Sequence, residues 1–362
     1  MLTKREQVDL VKFLAEFTND PLGFVYASFK WGEGELEEYD GPDDWQIEQL
    51  KYIRDRLRAG KMDSGQAISY VIQLAIASGH GIGKSALVGW IILWAISTFE
   101  DAKGVVTANT ESQLKTKTWA ELAKWHRLFI GKALFDYQAT SLSSIDPDHE
   151  KTWRIDMIPW SERNTEAFAG LHNKGKRILI VFDEASAIPD VIWEVTEGAL
   201  SDANTQILWL AFGNPTRNTG RFKDCFTHAA RRKRWHSAQI DSRTVKMTNK
   251  DLINQQVEEY GIDSDFIKVR VRGMFPSMSV KQFISVADVD KAFGKHLRPE
   301  QYNFAPKIIT CDPAWEGDDE LVIALRQGLA FSILRTMPKN DNDVHVANIL
   351  ANLEDEHRAD VV

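Results

Sequence analysis

The chain has 362 residues, of which 43% are hydrophobic and 27% are charged, and its formal net charge is −8. This length and composition are typical of about two globular domains and exclude low-complexity, collagen-like and disordered chains. The two cysteines, Cys225 and Cys311, exclude a disulfide framework and favour a reducing intracellular setting.

Apolar runs alternate with amphipathic segments through the first two thirds of the chain. The predicted helices are 3–17, 44–59, 86–99, 111–130 and 189–200. The predicted strands are 67–77, 104–108, 177–182, 205–212 and 234–240. Continuous apolar strands that alternate with helices indicate an α/β fold with a mostly parallel sheet and helices on both faces. Helix 86–99 is shorter than the roughly 20 residues that span a membrane, so we predict that it is buried.

The rest of the chain predicts a second unit. Residues 246–300 are mixed in character and more helical, which places a domain boundary between 245 and 300. A new strand pattern over 306–336 predicts a second sheet, and residues 343–357 predict a helix after it.

A glycine-rich loop, residues 78–85 (SGHGIGKS), joins the first predicted strand to the apolar helix. It is a variant of the phosphate-loop pattern G-x-x-x-x-G-K-[ST], with Ser78 at the position of the first glycine. Its three glycines let the backbone curl so that N–H groups face phosphate oxygens. We expect Lys84 to reach the β/γ-phosphates and the Ser85 hydroxyl to bind Mg²⁺. The strand–loop–helix context makes this a specific signal for nucleotide binding.

A second motif, residues 178–186 (ILIVFDEAS), follows about 100 residues later. It is a buried strand that ends in two carboxylates, which is what a nucleotide triphosphatase needs opposite its phosphate loop. Asp183 is expected to hold Mg²⁺ through water, and Glu184 to orient and deprotonate the attacking water. ATP hydrolysis is therefore the predicted chemistry.

Three shorter pieces indicate a translocating ATPase. Gln46 lies some 30 residues before the loop, where its amide is suited to read the adenine edge while Trp45 packs nearby. Residues 105–113 (VVTANTESQ) end a strand in a polar turn at the predicted ligand edge of the sheet. Residues 212–216 (FGNPT) end another strand in the same way, and we expect Asn214, with Thr216, to couple loss of the γ-phosphate to a DNA-gripping element.

These motifs, in this order, resemble the ATPase of the large terminase subunits of tailed bacteriophages, the motors that package DNA into procapsids. The matching pieces are Asp-Trp-Gln at 44–46, the variant loop, 105–110 (VVTANT), 168–172 (FAGLH), 183–186 (DEAS) and 212–216. The resemblance continues through 259–261 (EYG) and 273–276 (GMFP), which are similar to the segment that joins ATPase and nuclease in that family.

The resemblance implies a C-terminal ribonuclease H-like nuclease that uses two metal ions held by carboxylates. Residues 308–314 (IITCDPA) are similar to its first strand, which makes Asp312 the first metal ligand, with Asp318 or Asp319 assisting. The other ligands of the family are expected on later elements, and only 50 residues follow Asp312. We therefore predict that this chain hydrolyses ATP but lacks nuclease activity because its nuclease domain is incomplete.

The phosphate loop contains no arginine, whereas some members of the family carry one there, and His80 lies at its centre instead. A charge-stabilising arginine must then come from elsewhere in the chain or from a neighbouring subunit. Arg163 is the first candidate for this arginine, and Arg154 is the second.

The net charge is unevenly distributed along the chain. Residues 1–50 carry −8 and residues 341–362 carry −5, which leaves +5 on residues 51–340. The negative total therefore does not exclude a nucleic acid. A packaging motor must grip backbone phosphates because it is indifferent to sequence. Lys115, Lys117 and the basic run 231–234 are the proposed contacts.

Together these inferences predict a phosphate-loop ATPase domain at 1–245, a linker or lid at 246–300 and an incomplete nuclease at 301–362. The residues that we expect to bind nucleotide are Trp45, Gln46, Ser78, Gly79, His80, Gly81, Ile82, Gly83, Lys84 and Ser85. The expected catalytic residues are Lys84, Glu184 and Arg163; the metal ligands are Ser85 and Asp183 for the ATPase, and Asp312 and Asp319 for the nuclease. The cofactors implied are ATP and Mg²⁺, with Mg²⁺ or Mn²⁺ at the nuclease.

The family resemblance also implies partners and a place of action. The expected partners are double-stranded DNA, a portal protein, a small terminase subunit and further copies of this chain in a ring. The expected location is the host cytoplasm, transiently at the portal vertex of the procapsid.

Two other functions remain open from the sequence. A helicase-like translocase shares the phosphate loop and the strand with two carboxylates but does not need residues 308–319. A nucleotide-dependent assembly module would use ATP as a clamp, and Glu184 tells against it because a clamp needs no general base.

Overall fold

The computed structural model describes residues 3–60, 70–108, 110–161, 171–198, 200, 202, 204–277, 294, 296–314, 320–338 and 342–362. The chain divides into two compact units, Met1–Ser285 and Val286–Val362. Each unit has its own sheet and its own core.

The first unit is built on an eight-stranded sheet with the order β3-β4-β5-β2-β6-β7-β1-β8. Its strands are β1 Tyr70–Ser78, β2 Lys103–Thr107, β3 Phe135–Tyr137, β4 Ser141–Ser144, β5 Arg154–Met157, β6 Arg177–Phe182, β7 Gln206–Gly213 and β8 Trp235–Ile240. The strands from β5 to β8 in this order pair in parallel, whereas β3 and β4 pair antiparallel. The predicted mostly parallel sheet is confirmed.

Helices precede, connect and follow these strands. They are α1 Lys4–Ala15, α2 Pro21–Ser28, α3 Asp44–Ala59, α4 Lys84–Ser97, α5 Glu111–Gln113, α6 Ala120–Leu128, α7 Asp190–Gly198, α8 Arg221–Thr227, α9 Ala229–Arg232, α10 Lys250–Tyr260 and α11 Asp265–Arg270. A π-helical turn, Leu114–Trp119, joins α5 to α6 where the sequence predicts one continuous helix over 111–130. The predicted helix 3–17 ends earlier, at Ala15, and Asp20 caps a second helix that begins with Pro21.

Apolar cores cover both faces of this sheet because successive side chains of a strand point to opposite faces. On β1, Ile72, Leu74 and Ile76 belong to the core shared with α4, whereas Ala75 and Ala77 belong to the core shared with α7. Helix α4 is buried along almost its entire length, as its apolar sequence predicts. No described helix is long and apolar enough to cross a membrane.

Three strands, β3 to β5, were not predicted from the sequence. Each has only three or four residues, which is too short for an alternating pattern to be recognised. β4 (SLSS) is buried throughout although three of its four residues are serines. Tertiary pairing with β5, and not local preference, makes this segment a strand.

The second unit contains a three-stranded antiparallel sheet of β9 Lys307–Asp312, β10 Glu320–Gln327 and β11 Ala330–Pro338, in the order β11-β10-β9. Helix α12, Asp343–His357, packs on it around a small core that includes Ile309, Leu321 and Ile349. After α12 the chain returns beside β9, and Ile308 and Val361 form a parallel bridge. The predicted second sheet and the helix 343–357 are confirmed.

Candidate nucleotide site

The glycine-rich loop 78–85 lies between the carboxyl end of β1 and the start of α4, as the sequence predicts. Gly81 (φ 72°) and Gly83 (φ 82°) adopt the left-handed conformation that favours glycine. Because α4 begins at Lys84, its first N–H groups lack acceptors within the helix. A strand–loop–helix of this shape provides backbone donors and a helix N-terminus for phosphate.

The side chain of Lys84 lies folded back onto its own loop. Its Nζ donates hydrogen bonds to Ser78 Oγ (2.7 Å) and to the Gly79 carbonyl (3.3 Å). Burial lowers the pKa of Lys84 to about 8, and the negative charges of Asp183 and Glu184 oppose this shift. The serine that replaces the first glycine of the pattern therefore acts as an acceptor for the lysine of the loop.

The start of α3 holds the other half of the loop. Trp45 Nε1 donates to the Ile82 carbonyl (3.0 Å), and Gln46 Nε2 donates to the Gly83 carbonyl (3.0 Å). Gln46 Oε1 accepts from the Asp43 N–H (2.8 Å), and Gln46 is almost fully buried. Both ends of the Gln46 amide are thus bonded within the chain, so its observed role is to support the loop. Ile82 itself is buried in the core.

A cavity of about 390 Å³ opens beside this half of the loop. The residues that line it include Trp31, Gln46, Gly83, Ala86 and Met247. Aromatic and apolar walls with a few polar groups are typical of small-molecule sites, and a cavity of this size suits a nucleoside. It lies next to the helix N-terminus, where a phosphate chain would begin.

Asp183 and Glu184 follow β6 directly, and β7 lies between β6 and β1 in the sheet. Parallel strands place their carboxyl ends at one edge, so both carboxylates share an edge with the loop. Asp183 is 9% exposed, and burial raises its pKa. Glu184 adopts a left-handed conformation (φ 51°), which is uncommon for a residue other than glycine and often marks functional sites.

Two adjacent residues of the π-helical turn bind these two carboxylates. Thr118 Oγ1 donates to Asp183 Oδ2, and Lys117 Nζ donates to Glu184 Oε1 at 3.0 Å. The Glu184 N–H also donates to Asp183 Oδ1 (2.9 Å). The sequence prediction assigned Lys117 to DNA and gave Thr118 no role. Only a π-helical turn, a rare feature that is frequent at functional sites, distinguishes this segment.

Asn214 connects the loop to the segment after β6. Its Nδ2 donates to the Ser78 carbonyl (2.6 Å), and its own carbonyl accepts from Ser186 Oγ (2.7 Å). Ser186 Oγ also lies 2.9 Å from Thr216 Oγ1. Asn214 and Thr216 therefore lie in one hydrogen-bonded network with the loop and the segment that carries Glu184.

The segment after β8 packs against the first half of the loop. The Gly79 N–H donates to the Ile240 carbonyl (3.1 Å), the His80 N–H to the Arg270 carbonyl (2.8 Å), and Ser242 Oγ to the His80 carbonyl (2.8 Å). A Cβ built on Gly79 would overlap Ser242 Oγ and two backbone carbonyls, so only glycine fits there. Residues 246–300 were predicted as a linker or lid, and α10 and α11 within them belong to the first compact unit.

His80 does not replace the arginine that the loop lacks. Partial burial lowers its pKa, and the positive charges of Lys84, Arg270 and Lys117 lower it further. The imidazole is therefore neutral at pH 7. His80 therefore adds no positive charge to that of Lys84 in the loop.

Several predicted residues lie elsewhere or outside the described residues. Arg163 and Asp319 are not among the described residues. Arg154 pairs with Asp156 at the amino end of β5, the edge of the sheet opposite the loop. Asp312 is exposed at the end of β9. Among the described residues, no group of three or more His, Cys, Asp or Glu side chains is arranged to hold a metal ion.

Most of the lysines and arginines predicted to contact DNA are engaged in ion pairs. Lys115 pairs with Glu111 (2.5 Å). In the run 231–234, Arg231 (2.9 Å) and Arg234 (3.5 Å) both pair with Glu197. These groups are partly neutralised, so their count overstates the positive potential of this surface.

Comparison with known proteins supports the resemblance that the motifs indicate. The probable large terminase subunit of Enterobacteria phage P7 is 27% identical over 241 residues, which are 62% of this chain and 46% of that protein. The chain therefore matches about half the length of this curated relative. No protein-family model matches the chain.

Solved structures of phage large terminases are also similar. The HK97 bacteriophage large terminase has a TM-score of 0.55 at 14% identity, covering 95% of this chain and 74% of that one. The large terminase of the thermophilic bacteriophage D6E in complex with ADP has a TM-score of 0.47 at 13% identity, covering 86% of this chain and 74% of that one. The predicted resemblance and fold class are confirmed: the sequence is similar to that of a phage large terminase subunit, and the chain shares the fold of one.

Proposed function

We propose that this chain is the ATP-hydrolysing motor part of a phage large terminase subunit, which moves double-stranded DNA into a procapsid. One observation carries the proposal. The loop 78–85 and the pair Asp183–Glu184 lie at one edge of a parallel sheet, with β7 and its Asn214 between them. The similarity to the phage P7 protein supports the same assignment.

The residues of the site divide the work on ATP between them. The base would lie in the 390 Å³ cavity beside Gln46, and the phosphates over the N-terminus of α4. Lys84 would leave Ser78 Oγ for the β/γ-phosphate oxygens, since a phosphate oxygen is the stronger acceptor. Glu184 would accept a proton from the attacking water, because it is the carboxylate at the mouth of the site and is partly exposed.

The donor set suits magnesium. The Ser85 hydroxyl and the Asp183 carboxylate are hard oxygen ligands, which Mg²⁺ prefers. Burial raises the pKa of Asp183, and a neighbouring cation would favour its ionised form. Ser85 and Asp183 would hold the ion, and it would neutralise part of the triphosphate charge.

The test is ATP turnover by the purified chain, with and without linear double-stranded DNA. We expect Glu184→Gln to lower kcat by about 10² to 10⁴-fold, the usual contribution of a general base, and to leave ATP binding intact. The matched control is Glu33→Gln, which removes an exposed carboxylate whose ion-pair partner among the described residues is Lys30. A protein that binds ATP as a structural clamp would hydrolyse it at the same low rate in the wild-type chain and in Glu184→Gln. That result would overturn the ATPase proposal.

DNA movement is tested separately. We expect ATP turnover to rise with double-stranded DNA of any sequence, and this stimulation to fall steeply with salt, since a motor grips phosphates. A helicase-like translocase would instead unwind a forked duplex, and that result would overturn the packaging assignment. The packaging partners would be a portal protein, a small terminase subunit and further copies of this chain in a ring, acting in the host cytoplasm at the portal vertex.

We propose that residues 301–362, which lie within the second unit, are the start of the ribonuclease H-like nuclease, with 1–245 as the motor and 246–300 as the linker. Three antiparallel strands, a helix and a return parallel to β9 are consistent with the start of such an α/β domain. Of the proposed nuclease ligands, Asp312 is the one that the structure describes.

A further inference from the structure

We infer that Lys117 is a positioning residue for Glu184: its ammonium holds the carboxylate of the general base over the site. The inference rests on the proposed ATPase function. It adds to that function a residue that lies outside both the loop 78–85 and the segment after β6. Its basis is the contact between Lys117 Nζ and Glu184 Oε1, 3.0 Å apart.

The contact belongs to a paired arrangement and is not an isolated surface ion pair. Lys117 and Thr118 are adjacent, and so are Glu184 and Asp183; each residue of the first pair binds one of the second. Thr118 is 1% exposed, so its hydrogen bond fixes the position of this backbone against the end of β6. With its neighbour fixed, the backbone of Lys117 is held within reach of Glu184, and the ion pair then orders a side chain that otherwise has many rotamers.

The π-helical turn that presents these residues is anchored on its other side. Tyr137 Oη donates to the Trp119 carbonyl (2.9 Å), and Trp119 Nε1 donates to the Gln138 carbonyl (2.9 Å). Trp119 is 2% exposed. Lys117 is therefore carried by a backbone that is fixed at residues 118 and 119, whereas its own side chain is 59% exposed.

Glu184 needs such a partner. Within the described part of the chain, Lys117 is the one side chain that is hydrogen-bonded to its carboxylate. Ion pairs between partly exposed groups contribute little to stability, so the consequence of this one is the placement of the carboxylate. A general base must lie within hydrogen-bond reach of the proton that it removes, and a small displacement costs rate.

The DNA contact that the sequence predicted for Lys117 is the competing role. A lysine that binds phosphates of DNA would be expected on an open surface without a carboxylate at 3.0 Å. Its position beside the two carboxylates that follow β6 favours the hydrolysis site. The loop 78–85 has no arginine, and Lys117 adds a positive charge to those of Lys84 and Arg270 near the loop.

The test compares Lys117→Met with Lys117→Arg in steady-state ATP turnover without DNA. We expect Lys117→Met to lower kcat about tenfold, a part of the 10²–10⁴ that a general base contributes, with KM for ATP unchanged. Lys117→Arg keeps the charge and is expected to recover at least half of the lost rate. The matched control is Lys30→Met, which breaks the exposed pair with Glu33 and is expected to leave kcat unchanged.

A second measurement tests whether Lys117 acts through Glu184. The double variant Lys117→Met/Glu184→Gln is expected to be no slower than Glu184→Gln alone, because residues that act as one unit are not additive. Melting temperatures of all variants are expected within about 2 °C of the wild type, since Lys117 is exposed. Unchanged or raised kcat in Lys117→Met, a rise in KM alone, or an additive double variant would each overturn the inference.

The outcome is separable from that of the proposed function. If the wild-type chain hydrolyses ATP and Glu184→Gln does not, the ATPase assignment stands whatever Lys117→Met does. If the wild-type chain is inactive, the ATPase assignment fails, and the positioning role fails with it.

Discussion

Asn214 Nδ2 donates a 2.6 Å hydrogen bond to the carbonyl oxygen of Ser78. The hydroxyl of the same serine accepts a hydrogen bond from the ammonium of Lys84. The end of β7 and the lysine of the loop are thereby linked through one buried serine. Movement of Lys84 toward a phosphate would break its bond to the Ser78 hydroxyl and leave the bond from Asn214 to the Ser78 carbonyl in place.

Asn214→Ala is expected to lower kcat/KM for ATP about five- to tenfold. It leaves the buried Ser78 carbonyl without its donor, which costs about 1 to 2 kcal/mol. Steady-state turnover measures the effect, and stimulation by double-stranded DNA should fall further than the basal rate if Asn214 couples the two. Equal losses in both rates would confine Asn214 to support of the loop.

Gly273→Ala is expected to weaken ATP binding about tenfold, measured as the Kd of a fluorescent ATP analogue. At φ 63° a Cβ would lie 2.7 Å from the Ile240 carbonyl oxygen and from Ser78 Cα, so the segment must move away from the loop. Gly261→Ala is the control, because Gly261 also has positive φ (81°) but its Cβ would meet no described atom within 4 Å.

Both glycine variants carry the strain of a non-glycine residue at positive φ, about 1–3 kcal/mol of unfolding free energy. Only Gly273→Ala should also change the Kd. If the two variants bind ATP equally well, the segment 270–273 does not support the loop.

Arg177→Ala is expected to lower the free energy of unfolding by about 3–5 kcal/mol, measured by urea denaturation. The guanidinium is fully buried; it donates to the Thr18 carbonyl (2.6 Å) and to Thr98 Oγ1 (2.8 Å), and it stacks 4.0 Å from the Trp94 ring centroid. Burial lowers its pKa to about 9, so it is still charged at pH 7.

Its matched control is Arg154→Ala, which removes an arginine paired with Asp156 near the surface. That variant is expected to cost no more than about 1 kcal/mol. Similar losses in the two variants would show that burial of the Arg177 guanidinium is not what makes it stabilising.

The stability of the first unit is expected to depend on pH through His149. Its Nδ1 lies 2.7 Å from Asp101 Oδ1, and the hydrogen bond to that carboxylate raises the pKa of His149. Because the pKa of His149 is higher in the folded state than in the unfolded state, protonated His149 stabilises the fold. This stabilisation is fully present below the unfolded pKa, near 6.5, and is lost as the pH rises through the folded pKa.

Asp101→Asn tests this. Asp101 has φ 55°, a conformation that asparagine tolerates, so the backbone should not change. We expect the melting temperature of the wild type to exceed that of the variant by more at pH 6 than at pH 8.5, and the His149 ring signals to titrate at lower pH in the variant. An equal difference at both pH values would contradict the prediction.

The parts of the site that the sequence predicted are those carried by local patterns. The loop 78–85 and the strand before Asp183 are each specified within about ten consecutive residues by glycine spacing, a lysine, and an apolar run that ends in carboxylates. Strands β1, β2, β6, β7 and β8 were found within a few residues for the same reason. The short strands β3 to β5 and the π-helical turn have no such local signal.

Partners across the site could not be predicted because their sequence separation is large. Lys117 and Glu184 are 67 residues apart, and Asn214 and Ser78 are 136 apart. The same holds for Ser242, which the sequence did not identify, although it donates to the loop at His80. The order of the strands in the sheet decides which lysine lies beside which carboxylate. That order is not a property of any short segment of the sequence.

The sequence predicted the components of the candidate site: a curled glycine-rich loop, a lysine, and two carboxylates at the end of a buried strand. It did so because glycine, lysine and carboxylate have these properties wherever the chain places them. The tertiary structure decided the assignments between residues. In the folded chain Lys117 bonds to Glu184, Thr118 bonds to Asp183, and the amide of Gln46 bonds to the loop. A hydrogen bond requires two atoms within about 3 Å, and the packing of the sheet edge brings these atoms that close.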